Sequence, residues 1–408
     1  MTRKTKVKVV VTGVGCVTPF GTGLEKLVTG IRNGDTTFAT VKRFDGSKYG
    51  IDSASEIAET PETASYQGSR PSRILQTAAA EAVADSAINS DLFRNRTAVV
   101  LGTTLGSDEI STALWQQTNG HPIDLESVMR SMCECGGRAI VDRWQIDGPS
   151  LAVVTACAAG TNAIGLGLDL IRAGRVDRVI AGGLDTLTEL IYGGFASIGA
   201  LGEQCRPFAT DQERHGTVLG ENAAVLILES ESAAKDRGAR VYAEVLGYGL
   251  ANDAHHMTAP AATGDGAIHA MRRCLEDAGL VPGDIDYVNA HGTGTALNDP
   301  VEAEALWKIF GDRLPNIPIS SLKSQIGHGL SSAGAIEAIA TVLALYQGFV
   351  PPTAHTASSL DARLDFVQNG SPDEAISTAL SNSFAFGGHG ASIAFAAYAG
   401  RSGRWTDC

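Results

Sequence analysis

The chain has 408 residues, 44% of them hydrophobic and 19% charged, enough for a large core in two domains or one duplicated one. A formal net charge of −13 excludes a surface built to attract nucleic acid, while leaving room for a local basic patch that meets an acidic partner. The 47 glycines are spread among apolar segments rather than gathered in low-complexity tracts, a pattern of tight turns and not of disorder.

Lys4, Lys6 and Lys8 lead into a short apolar strand over residues 7–12, which is not a secretory signal. Further strands are expected over 98–101, 151–154, 178–181 and 224–228, then over 242–247, 287–289, 318–320, 379–382 and 392–396. Helical patterns fall between them, among them 74–87 and a charged segment, 231–240, that connects two halves, 1–240 and 241–408. Short apolar strands alternating with longer helical periods predict an α/β protein with mostly parallel, buried sheets. No apolar run is expected to span a membrane. The seven cysteines are odd in number and show no disulfide framework, which predicts a reduced, cytoplasmic setting. Cys133 and Cys135 are the one close pair; with no second pair or histidine at zinc-site spacing they read as packing residues, and no metal site is expected.

Cys157 carries the most information. The run 151–154 is continuously apolar, as in a strand buried on both faces. Beyond it Ile164, Leu168 and Ile171 recur at helical spacing, and Gly174 beside Arg172 and Arg175 gives a stop signal. The thiol therefore falls on a sharp strand-to-helix turn, where unpaired N–H groups and the helix dipole favour thiolate. A buried packing cysteine is the alternative reading of this window.

The second half repeats the order of elements. A strand over 317–320 leads to Lys323-Ser-Gln-Ile-Gly-His328 and then to a small-residue helix that begins near Ser331. A duplicated fold of this kind gathers functional groups at facing strand ends. Two more segments stand out: Tyr287-Val-Asn-Ala-His-Gly-Thr-Gly-Thr295, with His291 just past a strand, and the glycine-rich Asn382-Ser-Phe-Ala-Phe-Gly-Gly-His-Gly390. Each alone reads as a structural histidine or a turn. Together with a thiol they supply the Cys/His arrangement used in acyl transfer, in a chain with only nine histidines.

These segments, in this order, resemble the β-ketoacyl-[acyl carrier protein] synthases, the condensing enzymes of fatty-acid and polyketide assembly. The resemblance runs from Val10-Val-Thr-Gly-Val-Gly15 through Arg206-Pro-Phe and Val218-Leu-Gly-Glu to the 382–390 loop, and so covers almost the whole chain. It implies a thiolase-like duplicated five-layer αβαβα fold, a dimer, and no cofactor beyond the phosphopantetheine on which the carrier protein brings the substrates. It implies Cys157 as the nucleophile, His291 and His328 as donors to the malonyl thioester oxygen, and Lys323 as a positive charge beside them. It implies Cys157 and Phe386 as the oxyanion N–H donors, Phe386 also being the gate. Glu337 becomes a buried supporting acid, and Thr293 and Thr295 contacts for the pantetheine arm.

Acyl length in this family is set near Leu105 and Ile198 and by residues 132–136 from across the dimer. Arg70 and Arg73, at the start of a helix, are candidates for docking the acidic carrier protein; ordinary solvated arginines are the alternative. Gly199 stands where bacterial fatty-acid members tend to be basic, and residues 121–126 are acidic where those members are commonly basic. The expected docking surface is thus either built differently or completed by a partner subunit, in a homodimer or a heterodimer with a ketosynthase-like chain. A tunnel-shaping partner of the chain-length-factor type usually lacks the cysteine that is present here. An initiating synthase usually pairs its cysteine with His and Asn rather than with two His. A cysteine hydrolase would need water at the thioester.

Overall fold

Val9, Val10 and Val11 open the first strand, β1 (Val9–Thr18), in which every residue is buried. It outruns the expected 7–12 because a register shift between Val11 and Gly13 lets the small residues that follow keep pairing with the neighbouring strand. The computed structural model describes residues 6–66, 68–104, 113, 117, 118, 120, 122, 137–210, 216–368 and 376–399. The other strands that build the site are β2 (Thr97–Gly102), β3 (Ser150–Val153), β4 (Arg178–Asp185), β5 (Asn222–Ser230) and β6 (Ala243–Asn252). They are followed by β7 (Tyr287–Asn289), β8 (Pro318–Ser320), β9 (Asp365–Phe366), β10 (Thr378–Phe384) and β11 (His389–Ala397). Five helices set the layers: α1 (Arg70–Ser86), α2 (Ala159–Arg172), α3 (Asp265–Ala278), α4 (Asn298–Phe310) and α5 (Ala333–Gln347).

The strands pair in the order β9-β8-β7-β10-β11-β6-β1-β5-β4-β2-β3. The outer groups are parallel, β4 with β2 and β3 on one side and β10 with β7, β8 and β9 on the other. The middle, from β10 through β11, β6, β1 and β5 to β4, is antiparallel. The expected mostly parallel sheet is therefore corrected to a mixed one. Only residues 385–388 separate β10 from β11, too few for a parallel crossover, so that pair closes as a hairpin.

The expectation for 151–154 is corrected as well. Among the described strands β3 pairs with β2 alone, its residues alternate between exposed and half-buried, and Val154 just beyond it is 62% exposed. An apolar run alone does not tell a strand at the sheet centre from one at the edge, where one side of the backbone has no neighbouring strand.

β1 touches β6 over only three residue pairs, Val9↔Val245 to Val11↔Ala243, and there the two halves of the sheet part. α2 and α5 pack against strands of both halves, α1 covers β1 and β5, and α3 covers β6 and β11 with α4 behind it. The stack is helix, sheet, helix, sheet, helix: the five-layer αβαβα arrangement. Three of the apolar clusters among the described residues follow from it. The central one joins Leu168 and Ile171 of α2 to Ile336, Ile339 and Leu343 of α5, and each outer one lies under α1 or under α3 and α4. Each fully buried Ile or Leu in such a core contributes roughly 1.5–3 kcal/mol.

α5 also corrects the expectation about apolar length. Leu330–Gln347 is 18 residues long with a mean hydropathy of 1.3, which does reach membrane-spanning length, but 89% of it is buried inside the protein. It is apolar all round because sheets and a helix surround it.

The crossing of α2 and α5 is close. A Cβ on Gly160 would lie 2.6 Å from the Ser331 carbonyl oxygen and 2.9 Å from the Ala335 nitrogen, both backbone atoms. Gly160→Ala is expected to destabilise the protein by about 1–3 kcal/mol through forced separation of the helices. Urea unfolding would show this as a lower midpoint at unchanged slope, and an unchanged midpoint would mean that α5 can shift at no cost.

Candidate active site

Strand β3 delivers the chain to Thr155, and the next residue, Ala156, has φ 46, in the left-handed region. A Cβ there crowds the following carbonyl oxygen and costs ~1–2 kcal/mol. The strained turn aims Cys157 inward from a short 3-10 turn, Ala156–Ala158, that runs directly into α2. Cys157 is 6% exposed. Burial pushes its thiol up to about 12; the Lys323 charge and the residue's own backbone N–H pull the other way, and Asp185 and Glu337 push it further up. The expected thiolate is thus corrected to a resting thiol, because desolvation outweighs the helix start.

His291 follows β7. Its backbone N–H and that of Gly292 donate to the Glu302 carboxylate at 2.8 and 2.9 Å, so the first turns of α4 clamp the loop. Asp299, one turn earlier, accepts from Thr293 N at 3.1 Å, Gly294 N at 3.1 Å and Phe208 N at 2.7 Å. Burial pushes Glu302 up to about 7 against these N–H donors. His328 is held by its backbone: its N–H donates to Val218 O at 2.7 Å and its carbonyl accepts from Gly220 N at 3.0 Å.

The two imidazoles stand edge to face, with centroids 5.4 Å apart and planes at 85°. Burial, then the Lys323 charge, holds both well below the usual histidine range, so both are neutral at pH 7. Lys323 is 1% exposed. Its ammonium donates to the His291 carbonyl at 2.7 Å, approaches His291 Nδ1 at 3.3 Å, and pairs with Glu337. A donor at Nδ1 leaves the His291 proton on Nε2. Burial raises Glu337 to about 7, with Lys323 pulling it down.

Cys157, His291 and His328 line one cavity of about 380 Å³, together with Thr293, Thr295, Ile198 and Phe386. Thr293 and Thr295 hydrogen-bond each other at 2.8 Å. Phe386 stacks on Phe195 with centroids 5.4 Å apart. Its loop turns through Gly387 and Gly388 at φ 79 and 75 and is held from behind, Gly387 N donating to Met257 O and Asn252 Nδ2 to Gly387 O, both at 2.8 Å. Lys323 and Glu337 sit behind the histidines rather than on the cavity wall.

Arg70 and Arg73 do not line this cavity. Arg70 donates both guanidinium arms to Glu221, which is 0% exposed, at 2.8 and 2.7 Å, and it also reaches Ile57 O. The docking expectation for Arg70 is corrected on this point: its charge neutralises an interior carboxylate that also accepts from the Ile57 and Leu187 N–H groups. Arg73 pairs with the exposed Glu59 at 3.0 Å. Leu105, residues 132–136 with Cys133 and Cys135, and residues 121–126 except 122 lie outside the described residues.

Phe195, Phe384, Asp299 and Glu302 belong to the site without having been singled out as site residues from sequence. Phe384 packs edge-on to His291 at 5.9 Å. The signal for the carboxylates was present: Asp299 and Glu302 sit three apart in the first two turns of a helix, just after a glycine-rich turn whose N–H groups need acceptors.

The chain is similar to known proteins over nearly its whole length. The description "Beta-ketoacyl synthase, N-terminal domain" matches residues 6–234, and "Beta-ketoacyl synthase, C-terminal domain" matches 242–357. The 3-oxoacyl-[acyl-carrier-protein] synthase 2 of Synechocystis sp. is 36% identical, the match covering 96% of this chain and 99% of that one. The ishigamide ketosynthase/chain length factor superposes with a TM-score of 0.90 at 35% identity, covering 97% of this chain and 100% of that one. A type II polyketide ketosynthase, solved with its acyl-carrier protein and bound to the hexaketide, gives a TM-score of 0.88 at 30% identity over 97% and 100% of the two chains. With both halves matched and the relatives covered nearly end to end, the chain belongs to the β-ketoacyl synthase family.

Proposed function

We propose that the protein performs a decarboxylative Claisen condensation, joining an acyl group on Cys157 to malonyl-[acyl carrier protein] to give a 3-ketoacyl-[acyl carrier protein]. The observation that carries this reading is a buried thiol facing two neutral histidines in one cavity, with a lysine fixing the proton of one of them. Cys157 Sγ attacks the incoming acyl thioester, its proton passing to the departing pantetheine thiol. The malonyl thioester then binds, with Thr293 and Thr295 against its pantetheine arm, and loses CO2. The electron pair left behind is held as an enolate by Nε2–H of His291 and His328. Its carbon attacks the acyl thioester, the backbone N–H groups of Cys157 and Phe386 hold the oxyanion, and collapse expels the Cys157 thiolate. Neutral imidazoles suit this work, since an imidazolium would hand over its proton and quench the carbanion before it could attack.

No resident cofactor enters, because loss of the carboxylate itself generates the nucleophile. The division into halves 1–240 and 241–408, the cytoplasmic setting and the carrier protein as partner belong to the same proposal. The setting is supported by Cys16, Cys157, Cys205 and Cys274 being free thiols, since the nucleophile must stay reduced. The product enters fatty-acid or type II polyketide biosynthesis. A second reading, supported by the likeness to a ketosynthase/chain length factor assembly, makes this chain one subunit of such a heterodimer.

The test is intact mass after incubation with acyl-carrier protein, peptide mapping, and then a malonyl-carrier chase. An acyl adduct on Cys157 that is consumed into a 3-ketoacyl product is expected. An adduct elsewhere, or one that the chase does not consume, would sink the condensation. An adduct formed only with a co-purified partner chain would select the heterodimer.

A further inference from the structure

We propose that Tyr248, Asn162 and Thr155 form a positioning relay that fixes Cys157, so that the C-terminal half of the chain sets the geometry of a nucleophile carried by the N-terminal half. The relay rests on the reading of Cys157 as the acyl acceptor. Tyr248 Oη donates to Asn162 Oδ1 at 2.7 Å, and Asn162 Nδ2 donates to Thr155 Oγ1 at 2.7 Å. Tyr248 lies on β6, Asn162 in the first turns of α2 five residues after Cys157, and Thr155 two residues before it. The bonds therefore bracket the nucleophile and close across the strained Ala156.

The capping position of α2 is Ala158, which makes no side-chain cap bond; beside the relay, Thr161 Oγ1 shares a hydrogen bond with Ser383 Oγ at 2.8 Å at the start of the helix. Asn162 is 5% exposed, so its two bonds are not readily exchanged for bonds to water. The Tyr248 ring reaches α2 only because residue 165 is glycine; a Cβ there would lie 2.5 Å from the ring. A second tie holds the far end of α2 against the same strand. Arg172 donates to Leu246 O and to Asp277 Oδ2, each at 2.7 Å, and that carboxylate oxygen also accepts from Tyr248 N at 3.1 Å. Burial, with Asp169 nearby, keeps the Tyr248 hydroxyl protonated and therefore a donor. None of the three residues lines the cavity, so they act through Cys157 and not on substrate.

The test compares Tyr248→Phe, Thr155→Val and Thr155→Ser in the full chain. It reads the rate of Cys157 alkylation by iodoacetamide, together with kcat and KM for acyl transfer from acyl-carrier protein. Tyr248→Phe and Thr155→Val are expected to lower kcat about tenfold, with KM held within about twofold, because a small displacement of a reacting atom costs rate and not binding. Thr155→Ser keeps the oxygen acceptor and is expected to restore the wild-type rate. A Thr155→Val protein with wild-type kcat would overturn the relay, as would Thr155→Ser falling as far as Thr155→Val, which would make the effect one of packing. If wild-type Cys157 is alkylated but never acylated, the acyl-acceptor reading fails instead, and the alkylation rates of the same variants still judge the relay.

Discussion

Cys157→Ala is expected to abolish acyl-enzyme formation, with a loss of at least ~10⁴-fold in condensation, while decarboxylation of malonyl-carrier protein survives. The second half of this expectation follows from the hydrogen bonds. His291 is oriented by Lys323 and its loop by Glu302, and His328 by the 218–220 backbone, so none of these groups leans on the thiol. Radiolabelled malonyl-carrier protein reads the two activities separately, and loss of both together would show that the thiol organises the histidines.

The wild-type thiol has its own pH signature. With burial holding it up to about 12, the thiolate fraction is small at neutral pH and rises about tenfold per pH unit. Alkylation of Cys157 is expected to climb through pH 10 without a plateau. A plateau near neutrality would show a thiolate stabilised by a neighbouring cation. Acyl transfer in such a site depends on moving the proton off sulfur as the bond forms, which is a reason for the nucleophile to be held so firmly.

Lys323→Met is expected to be the most damaging change at the site outside the nucleophile. Lys323 and Glu337 are each 1% exposed, and removing one partner leaves the other charge buried alone, at a cost of about 3–5 kcal/mol. The sign with pH follows from Glu337. Its carboxyl is already raised from 4.5 to about 7 by burial, and losing Lys323 removes the group that pulls it down. A carboxyl whose folded-state pKa lies above its unfolded value favours the fold below the unfolded pKa, and that contribution is lost as pH rises through the folded one. The variant should therefore come close to wild-type stability near pH 5 and lose ground steadily above pH 7. The double variant with Glu337→Gln should flatten that dependence. Thermal unfolding across pH 5–9 checks this, and a Lys323→Met protein whose deficit is the same at every pH would refute the account. Decarboxylation should fall on the order of 10²-fold even at pH 5, because His291 loses the donor that keeps its proton on Nε2.

Much of this was legible in the residues. The strand-to-helix turn at Cys157, the post-strand positions of His291 and His328, and the alternation of strands and helices are local patterns, and local patterns survive folding when each agrees with the global arrangement. Sequence reasoning failed where the answer depended on what comes to lie against a segment. The apolar run 151–154 reads as interior, yet it forms an edge, since which strands come to lie beside it is set by distant parts of the chain. Arg70 looked like a surface cation, and an interior carboxylate 151 residues away claimed it. Asp299 and Glu302 were ordinary helix-start acids until the glycine-rich turn before them supplied the N–H groups they satisfy.

The sequence by itself determined the chemistry available: one thiol, two histidines and a lysine in short segments after strands, in a duplicated α/β chain. The tertiary structure decided the ionisation. Whether Cys157 rests as thiol or thiolate, and whether the histidines are neutral, depends on desolvation and on the buried Lys323 ammonium behind them. Those quantities are set by distances among residues that lie up to 180 positions apart in the chain, from Cys157 to Glu337.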